Sequence, residues 1–245
     1  MNQYKSTIEF IEKNPIVSLE NLEKNISIKI SPHHGSNLFS IKRNGVEYIN
    51  TNFETLKNNG FTGNYVLFPF PNRVENKKYT FSGKDYKINI DRFGIKDLIH
   101  GFVFDKKWEF EEPIHNDNFI SCKTFFQFNQ KNEEFKFFPF EFAISLNYIL
   151  TNNRIKIVYQ IENLSSNVMP FGFGLHPFFK TIPDKESVFL SIPTTSVMET
   201  DENLIPTGRL LSTINTPQDI SNNQSVANLS LDHVYTNIDR KKIHF

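Results

Sequence analysis

Short runs of alternating apolar and polar residues dominate the chain, and dipeptides that favour tight turns separate them. Asn44-Gly45 is one such dipeptide and Ser82-Gly83 is another. Asn-Gly supplies the positive φ angles of a type I′ turn, so these patterns predict β-hairpins. A third hairpin is predicted through Asp105-Lys106. The predicted hairpins pair residues 38–43 with 46–49, 79–81 with 84–90, and 99–104 with 107–110.

Longer runs follow and predict a three-stranded meander over 119–128, 135–150 and 154–163. Pro139 interrupts the second run, where we expect a bulge or an edge. Only residues 1–13 look helical, and we expect them to form an N-terminal extension. Further strands are predicted to end at His176 and to span 188–192, 196–199 and 226–231, with a polar connection over 213–224.

The fold class follows from these runs. A chain of 245 residues lies within the range of one all-β domain. No composition break marks a domain boundary, and long strands with Pro- and Gly-rich connections predict an all-β fold, a large antiparallel β-sandwich, as one domain over 1–245. Residues 239–245 begin what looks like a strand without a return partner. We therefore expect C-terminal strands of the natural fold to be missing from this chain.

Charge and cysteine content narrow the class of ligand. Lys plus Arg (27) equals Asp plus Glu (27), so the balance favours a small neutral ligand over nucleic acid or an anionic membrane. The single Cys122 excludes an intramolecular disulfide and suits a reducing compartment, so the predicted location is cytoplasmic. Residues 1–30 lack the pattern of a signal peptide, and we expect no membrane-spanning segment.

His176 is the first candidate for chemistry. It ends an apolar, Gly-punctuated strand just before Pro177, which removes a hydrogen-bond donor and stops regular pairing. This position predicts an imidazole at a rim that faces a cavity. Its ordinary pKa near ~6.5 lets it give or accept a proton at neutral pH. The alternative is a packed, hydrogen-bonded core histidine without a role in chemistry.

Other candidates have weaker signals. Two X-Pro steps precede Asn72 and Arg73, so an amide and a guanidinium suited to ligand hydroxyls are predicted at a rim; a surface loop with a paired Arg is the alternative. His100 precedes Gly101, which allows close backbone approach and predicts an exposed ring; a half-buried strand histidine is the alternative. Asp232 follows an apolar run, where a turn-forming Asp is the ordinary explanation.

Common cofactor motifs are not found in the sequence. No His pair has the helical i, i+4 spacing with Glu that zinc hydrolases use. Gly172-x-Gly174 lacks the third glycine of a dinucleotide site and runs into Pro177. Neither a nucleophile elbow nor a P-loop is present. These patterns favour acid/base chemistry with no metal and no nucleotide cofactor.

Five motifs occur in order along the chain. They are Leu-Phe-Pro-Phe-Pro-Asn-Arg at 67–73, the hairpin at 79–86, Ile-His-Gly-Phe-Val at 99–103, Phe-Gly-Leu-His-Pro-Phe-Phe at 173–179 and Leu-Asp-His-Val-Tyr at 231–235. Taken together, they closely resemble the aldose 1-epimerase (galactose mutarotase) family, and the resemblance extends from about residue 26 to the C-terminus.

The resemblance implies a large antiparallel β-sandwich with a sugar-binding cleft. It also implies interconversion of the α and β anomers of a free sugar. A base removes the anomeric hydroxyl proton while an acid protonates the ring oxygen, the ring opens, and rotation about C1–C2 precedes reclosure. By resemblance, His176 is the acid, and His100 assists at the same ring oxygen or holds the sugar. Asn72, Arg73 and Asp232 bind sugar hydroxyls, and Phe178 stacks near the sugar.

The general base is the point at which the chain departs from the family. The resemblance places it on a Glu in the last strands, whose counterpart would lie beyond Phe245, and no Glu follows Glu202. One hypothesis is an aldose 1-epimerase-like isomerase of a free hexose, shortened here. The other is a carbohydrate-binding protein of the same fold without catalysis, and a purely structural domain is a weaker third. The expected partner is a small sugar, with no nucleic acid, membrane or cofactor; the oligomeric state is left open.

Overall fold

The computed structural model of the chain describes residues 3–58, 60–91, 94–181 and 185–239. The chain divides into unit 1, Met1–Lys180, and unit 2, Thr181–Phe245. A single domain over 1–245 stays a prediction. The strand predicted at 239–245 lies, apart from Asp239, outside the described residues. No helix in the described ranges is long and apolar enough to cross a membrane.

Unit 1 is built mainly from β-strands. Two sheets contain its longest strands, and the unit also contains separate two-stranded ladders. In chain order, its elements are β1 Tyr4–Ile11, β2 Asn14–Asn21, β3 Ile26–Ser31, β4 Asn37–Arg43, β5 Val46–Glu47, α1 Phe53–Lys57, β6 Asn64–Leu67, β7 Arg73–Val74, a 3₁₀ turn Glu75–Lys77, β8 Lys78–Phe81, β9 Lys84–Lys87, β10 Leu98–Ile99, β11 Glu109–Phe110, β12 Ile114–His115, β13 Phe119–Phe128, a 3₁₀ turn Glu133–Lys136, β14 Phe142–Thr151, β15 Ile155–Asn163 and β16 Gly174–Pro177.

Two antiparallel sheets of unit 1 pack face to face. Strands β1 to β5 form one sheet in sequence order, and the other runs β13-β14-β15, with β11 and β12 both paired to β13. Leu19 and Ile28 of the first sheet share a core with Ile120 and Leu146 of the second. Buried and half-buried residues alternate along β14, as expected for a strand with one face on a core. The predicted antiparallel β-sandwich is confirmed.

Two of the predicted hairpins are confirmed, and their turns have the expected backbone. Asn44 and Gly45 have φ angles of 50° and 79° between β4 and β5. Ser82 and Gly83 have φ angles of 49° and 74° between β8 and β9. Both turns therefore have two successive residues at positive φ, which is the type I′ pattern.

The helix expected within residues 1–13 is wrong. Tyr4 to Ile11 form β1, which pairs with β2 along its whole length, from Tyr4↔Asn21 to Ile11↔Asn14. Tyr4 is buried in the core, and its hydroxyl donates a hydrogen bond to the carbonyl of Asn118, at 2.8 Å. Strand pairing and this burial outweigh the weak helical periodicity, because tertiary contacts routinely override local propensity.

The third predicted hairpin is also wrong. β10 pairs with β7, so that Ile99 lies opposite Arg73, and β11 pairs with β13. Phe102 follows β10 in an irregular, buried segment, and its N–H donates to the carbonyl of Phe68 at 2.8 Å. The apolar residues of this segment fill the core instead of forming a ladder, which an alternating sequence pattern does not distinguish.

The predicted strand over 135–150 begins later than expected. Residues 133–136 form a 3₁₀ turn and β14 starts at Phe142. Phe138 and Phe140 are buried in the core of unit 1 without strand pairing. Pro139 lies between them and cannot donate a ladder hydrogen bond, which accounts for the late start of pairing.

Unit 2 contains shorter strands. The strand predicted at 226–231 is wrong, because Val226–Asn228 is a 3₁₀ turn whose Ala227 N–H donates to the Ser225 hydroxyl at 3.3 Å. The strand Pro206–Ser212 was not predicted, since its sequence does not alternate apolar and polar residues. The elements are a 3₁₀ turn Lys185–Ser187, β17 Phe189–Leu190, β18 Ser196–Thr200, β19 Pro206–Ser212, β20 Gln224–Ser225, a 3₁₀ turn Val226–Asn228 and β21 Tyr235–Thr236. β18 pairs with both β19 and β21, and β17 pairs with β20.

Candidate functional site

A two-stranded antiparallel ladder of β6 and β16 positions His176. Its register places His176 opposite Tyr65 and Leu175 opposite Val66. Successive strand residues point to opposite faces, so Tyr65 and His176 share one face while Val66 lies on the other, in the core. β16 ends at Pro177, one residue beyond the predicted end at His176, and Pro177 still lies opposite Asn64 in the ladder. His176 is half-buried at the end of this ladder.

The segment that carries His100 lies directly on the Pro-rich stretch that follows β6. His100 and Gly101 both have positive φ angles, 65° and 73°. A Cβ atom on Gly101 would lie 2.1 Å from the carbonyl oxygen of Phe68, so only glycine permits this approach. The N–H of His100 donates to the carbonyl of Asn72 at 3.4 Å. The close approach expected from the His-Gly pair is therefore confirmed.

The structure brings the two candidate histidines together. Their ring centroids are 5.2 Å apart at an interplanar angle of 71°. The expectation of an exposed His100 ring is wrong, since His100 is only 8% exposed. Phe61 and Tyr65 pack edge-to-face against it, with centroids at 5.0 and 5.8 Å. These two aromatic side chains cover the imidazole, although the neighbouring Gly101 has no side chain to shield it.

One hydrogen bond fixes the tautomer of His100. Its Nδ1 lies 3.2 Å from the carbonyl oxygen of Pro71. A carbonyl only accepts, so Nδ1 carries the proton and donates it. In the neutral ring, Nε2 is then an acceptor.

Aromatic rings stack on His176. Tyr65 lies parallel to it, with centroids 4.9 Å apart and planes at 9°. Phe178 stacks on the same imidazole at 5.0 Å and 27°. Phe178, predicted to stack near a sugar, therefore contacts the candidate acid directly.

The remaining predicted residues lie in two places. Arg73 is half-buried in β7 opposite Ile99, next to His100, and the exposed Asn72 precedes it. Asp232 lies in unit 2, where it is exposed and its backbone N–H donates to Nδ1 of His233 at 3.2 Å. The roles of all three in binding hydroxyls stay predictions.

Electrostatics keep His100 neutral. Burial lowers its pKa to about 4, because an imidazolium is poorly solvated there, and positive charge on His176 and Arg73 lowers it further. The hydrogen bond to the Pro71 carbonyl opposes this shift without cancelling it. At neutral pH, His100 is therefore an uncharged group that donates through Nδ1.

This shift predicts a loss of stability in acid. Above pH 6.5, His100 is neutral in both the folded and the unfolded chain. Below it, the unfolded chain takes up a proton that the folded chain refuses until about pH 4. Its contribution to stability therefore falls by about 1.4 kcal/mol per pH unit, or roughly 3 kcal/mol in total. Urea unfolding of wild type and His100→Gln between pH 7 and 4 measures this, and an equal pH dependence in the two proteins would contradict it.

Tyr65 is the site residue that the sequence analysis missed. It is 2% exposed, and its phenolic oxygen is buried without a hydrogen-bond partner in the described part of the chain. Burial raises the pKa of this phenol, so it stays neutral. One signal could have identified it. If the strand before the Pro-rich motif had been expected to pair with the strand that ends near His176, Tyr65 would have been a candidate to lie beside this histidine.

The unpartnered phenol predicts that Tyr65→Phe stabilises the protein. A buried donor without an acceptor costs about 1–3 kcal/mol, and phenylalanine removes it while keeping the ring. We expect the free energy of unfolding to rise by about 1 kcal/mol in urea titration. Tyr148→Phe is the matched control, because the Tyr148 hydroxyl donates to the Ser36 carbonyl at 2.6 Å and its loss should destabilise. Equal destabilisation by both changes would show that the Tyr65 hydroxyl has a partner.

Comparisons with known proteins agree with this architecture. A family model described as aldose 1-epimerase matches residues 15–244. "Uncharacterized protein YihR" of Escherichia coli K12 is 24% identical over 144 residues, which is 58% of this chain. A solved galactose mutarotase-like protein from Clostridium acetobutylicum superposes with a TM-score of 0.79 at 26% identity over 87% of this chain. A galactose 1-epimerase structure from Lactobacillus acidophilus gives 0.76 at 16% identity over 93% of this chain.

The matched relatives are longer than this chain. The match covers 44% of YihR, and the superpositions cover 66% and 68% of the two solved structures. The chain thus spans less than half of that curated relative and about two thirds of the solved ones.

Proposed function

Because the chain belongs to the aldose 1-epimerase family, we propose that it is an isomerase that interconverts the α and β anomers of a free hexose. The observation that supports this most directly is the pair of imidazoles 5.2 Å apart at the end of β16. One of them is held neutral by burial. The other is half-buried and stacked, and is the better placed to exchange a proton with a ligand.

The proposed reaction needs an acid and a base. As the acid, His176 gives its proton to the ring oxygen of the sugar while a base removes the proton of the anomeric hydroxyl, and the C1–O bond to the ring breaks. The open-chain aldehyde rotates about C1–C2. Closure on the other face returns the proton to His176 and reprotonates the new anomeric oxygen, so acid and base are restored.

His100 has a different role in this proposal. Since Nδ1 donates to the Pro71 carbonyl, neutral Nε2 can accept a hydrogen bond but not give one. It therefore suits a sugar hydroxyl, which donates, better than the ring oxygen, which only accepts. We assign His100 to holding the sugar. Of the two roles implied by the family resemblance, the tautomer favours this one.

The other predicted residues are assigned to binding. The Arg73 guanidinium and the Asn72 amide offer several donors for sugar hydroxyls. Phe178 is assigned to the apolar side of the site, where it packs on His176. This mixture of a few polar groups and aromatic rings suits a small neutral polyol.

Sugar binding without turnover is the second candidate. The residues assigned here include an acid and no general base, and a positioned base typically contributes about 10²–10⁴-fold. The two candidates share their binding residues. They differ only in whether bound sugar is turned over.

Polarimetry and thermal unfolding separate the candidates. Freshly dissolved α-D-glucose and α-D-galactose change rotation spontaneously, and we expect the protein to accelerate this. Sugar that binds only the folded chain should also raise the midpoint of thermal unfolding, by mass action. Stabilisation without acceleration would leave the binding protein, and neither effect would contradict both candidates.

A further inference from the structure

Tyr65 and His176 form a cross-strand pair with an unusual geometry. They are directly opposite in the β6–β16 ladder, and their rings lie 4.9 Å apart with planes only 9° from parallel. Tyr65 also packs edge-to-face against His100, with ring centroids 5.8 Å apart. It is thus a single side chain in contact with both imidazoles of the site.

The position of Tyr65 is fixed by its surroundings. Phe61 stacks on it at 5.3 Å and 10°, and Phe104 packs at an angle at 5.8 Å. Tyr65 is 2% exposed, whereas His176 is half-buried. A well-packed ring therefore lies nearly parallel to a more accessible one.

We propose that Tyr65 is a positioning residue for His176, whose ring face holds the imidazole in place and stabilises it when it carries the proton that the sugar receives. This rests on the proposed function of His176 as the acid. An aromatic face attracts a cation within about 6 Å of its centroid, so the stack favours imidazolium over neutral imidazole. The stack thereby orients the imidazole before the sugar binds.

The ring carries this role, and the hydroxyl does not. The phenolic oxygen is buried and has no hydrogen-bond partner in the described ranges, so it does not orient His176 through a hydrogen bond. Phenylalanine keeps the aromatic face and should therefore rescue the role. Leucine fills similar space without a π system.

Steady-state kinetics of three variants test the proposal. Tyr65→Leu is expected to lower kcat for mutarotation roughly tenfold while KM changes less than about threefold. Tyr65→Phe should restore kcat to within about twofold of wild type. Tyr86→Leu is the control, because it removes a similar stack, on Tyr79 at 4.7 Å and 6°, from the β8–β9 hairpin. Wild-type kcat in Tyr65→Leu, or an equal loss in Tyr86→Leu, would overturn the proposal.

A second readout does not depend on activity. Stacked rings shift the proton resonances of His176 upfield, and a retained cation raises the pH at which the ring titrates. We expect NMR of Tyr65→Leu to show loss of the upfield shift and titration at lower pH, with both restored in Tyr65→Phe.

If wild type lacks mutarotase activity, the proposed function fails, and unchanged His176 resonances in Tyr65→Leu would overturn the positioning role separately. Should Tyr65→Leu not fold, Tyr65→Met replaces it, since Met adapts to irregular space.

Discussion

Replacing His176 by alanine is expected to slow the interconversion of sugar anomers by about 10²–10⁴-fold, the range that a positioned acid or base contributes. The imidazole lies at the end of β16, between the stacked rings of Tyr65 and Phe178 and close to His100. Phe178 has no proton to transfer, and His100 and Tyr65 are both buried, so these neighbours are poorly placed to replace it. Polarimetry on α-D-galactose with purified, folded variant measures the loss.

The matched control is His115→Ala, which removes an exposed histidine on β12. Its rate should equal that of the wild type. Thermal stabilisation by sugar should survive in His176→Ala, because the proposed hydroxyl contacts of Arg73 and Asn72 remain. A His176→Ala variant with more than about a tenth of the wild-type rate would show that another group delivers the proton.

Replacing Gly101 by alanine is expected to cost about 3 kcal/mol of unfolding free energy or more. Its φ of 73° strains any residue with a Cβ, by about 1–2 kcal/mol. The new Cβ would also lie 2.1 Å from the Phe68 carbonyl oxygen, so the backbone must move, and overpacking typically costs another 1–3 kcal/mol. Because His100 is the preceding residue, sugar affinity should fall as well. Urea unfolding and sugar-induced thermal shifts measure the two effects.

Gly83→Ala is the matched control for this strain. Gly83 has nearly the same φ, 74°, but nothing lies within 4 Å of its added Cβ. We expect a loss of about 1 kcal/mol from the backbone alone, with sugar affinity unchanged. Equal losses in the two variants would mean that the contact between Gly101 and Phe68 contributes nothing.

Local patterns predicted the fold well where local chemistry determines it. The Asn44-Gly45 and Ser82-Gly83 hairpins follow from residues that accept positive φ, and β13 and β15 follow from simple alternation. The same reasoning failed where apolar residues fill the core outside a ladder. The buried segment after β10 is one such place and residues 137–141 are another.

The candidate site was predictable in part. His176 directly precedes Pro177, and Arg73 follows Pro71 by two residues. Prolines interrupt strand pairing, so side chains beside them are expected at the edge of a sheet. The sequence left a half-buried His100 open as the alternative to an exposed ring, and it could not decide between them, because the burial depends on Phe61 and Tyr65 from another part of the chain. Tyr65 itself was missed for the same reason: its role depends on the register between β6 and β16, which are separated by more than one hundred residues.

The most direct test of the central claim is magnetisation transfer between the anomeric protons of equilibrated D-galactose in the presence of the protein. Saturation of the β-anomer H1 resonance should decrease the α-anomer signal faster than in buffer, in proportion to protein concentration, and His176→Ala should abolish this excess. Such transfer would establish that the site opens and closes the sugar ring. The absence of any excess transfer, in a folded sample that sugar stabilises, would contradict the isomerase and leave a carbohydrate-binding protein.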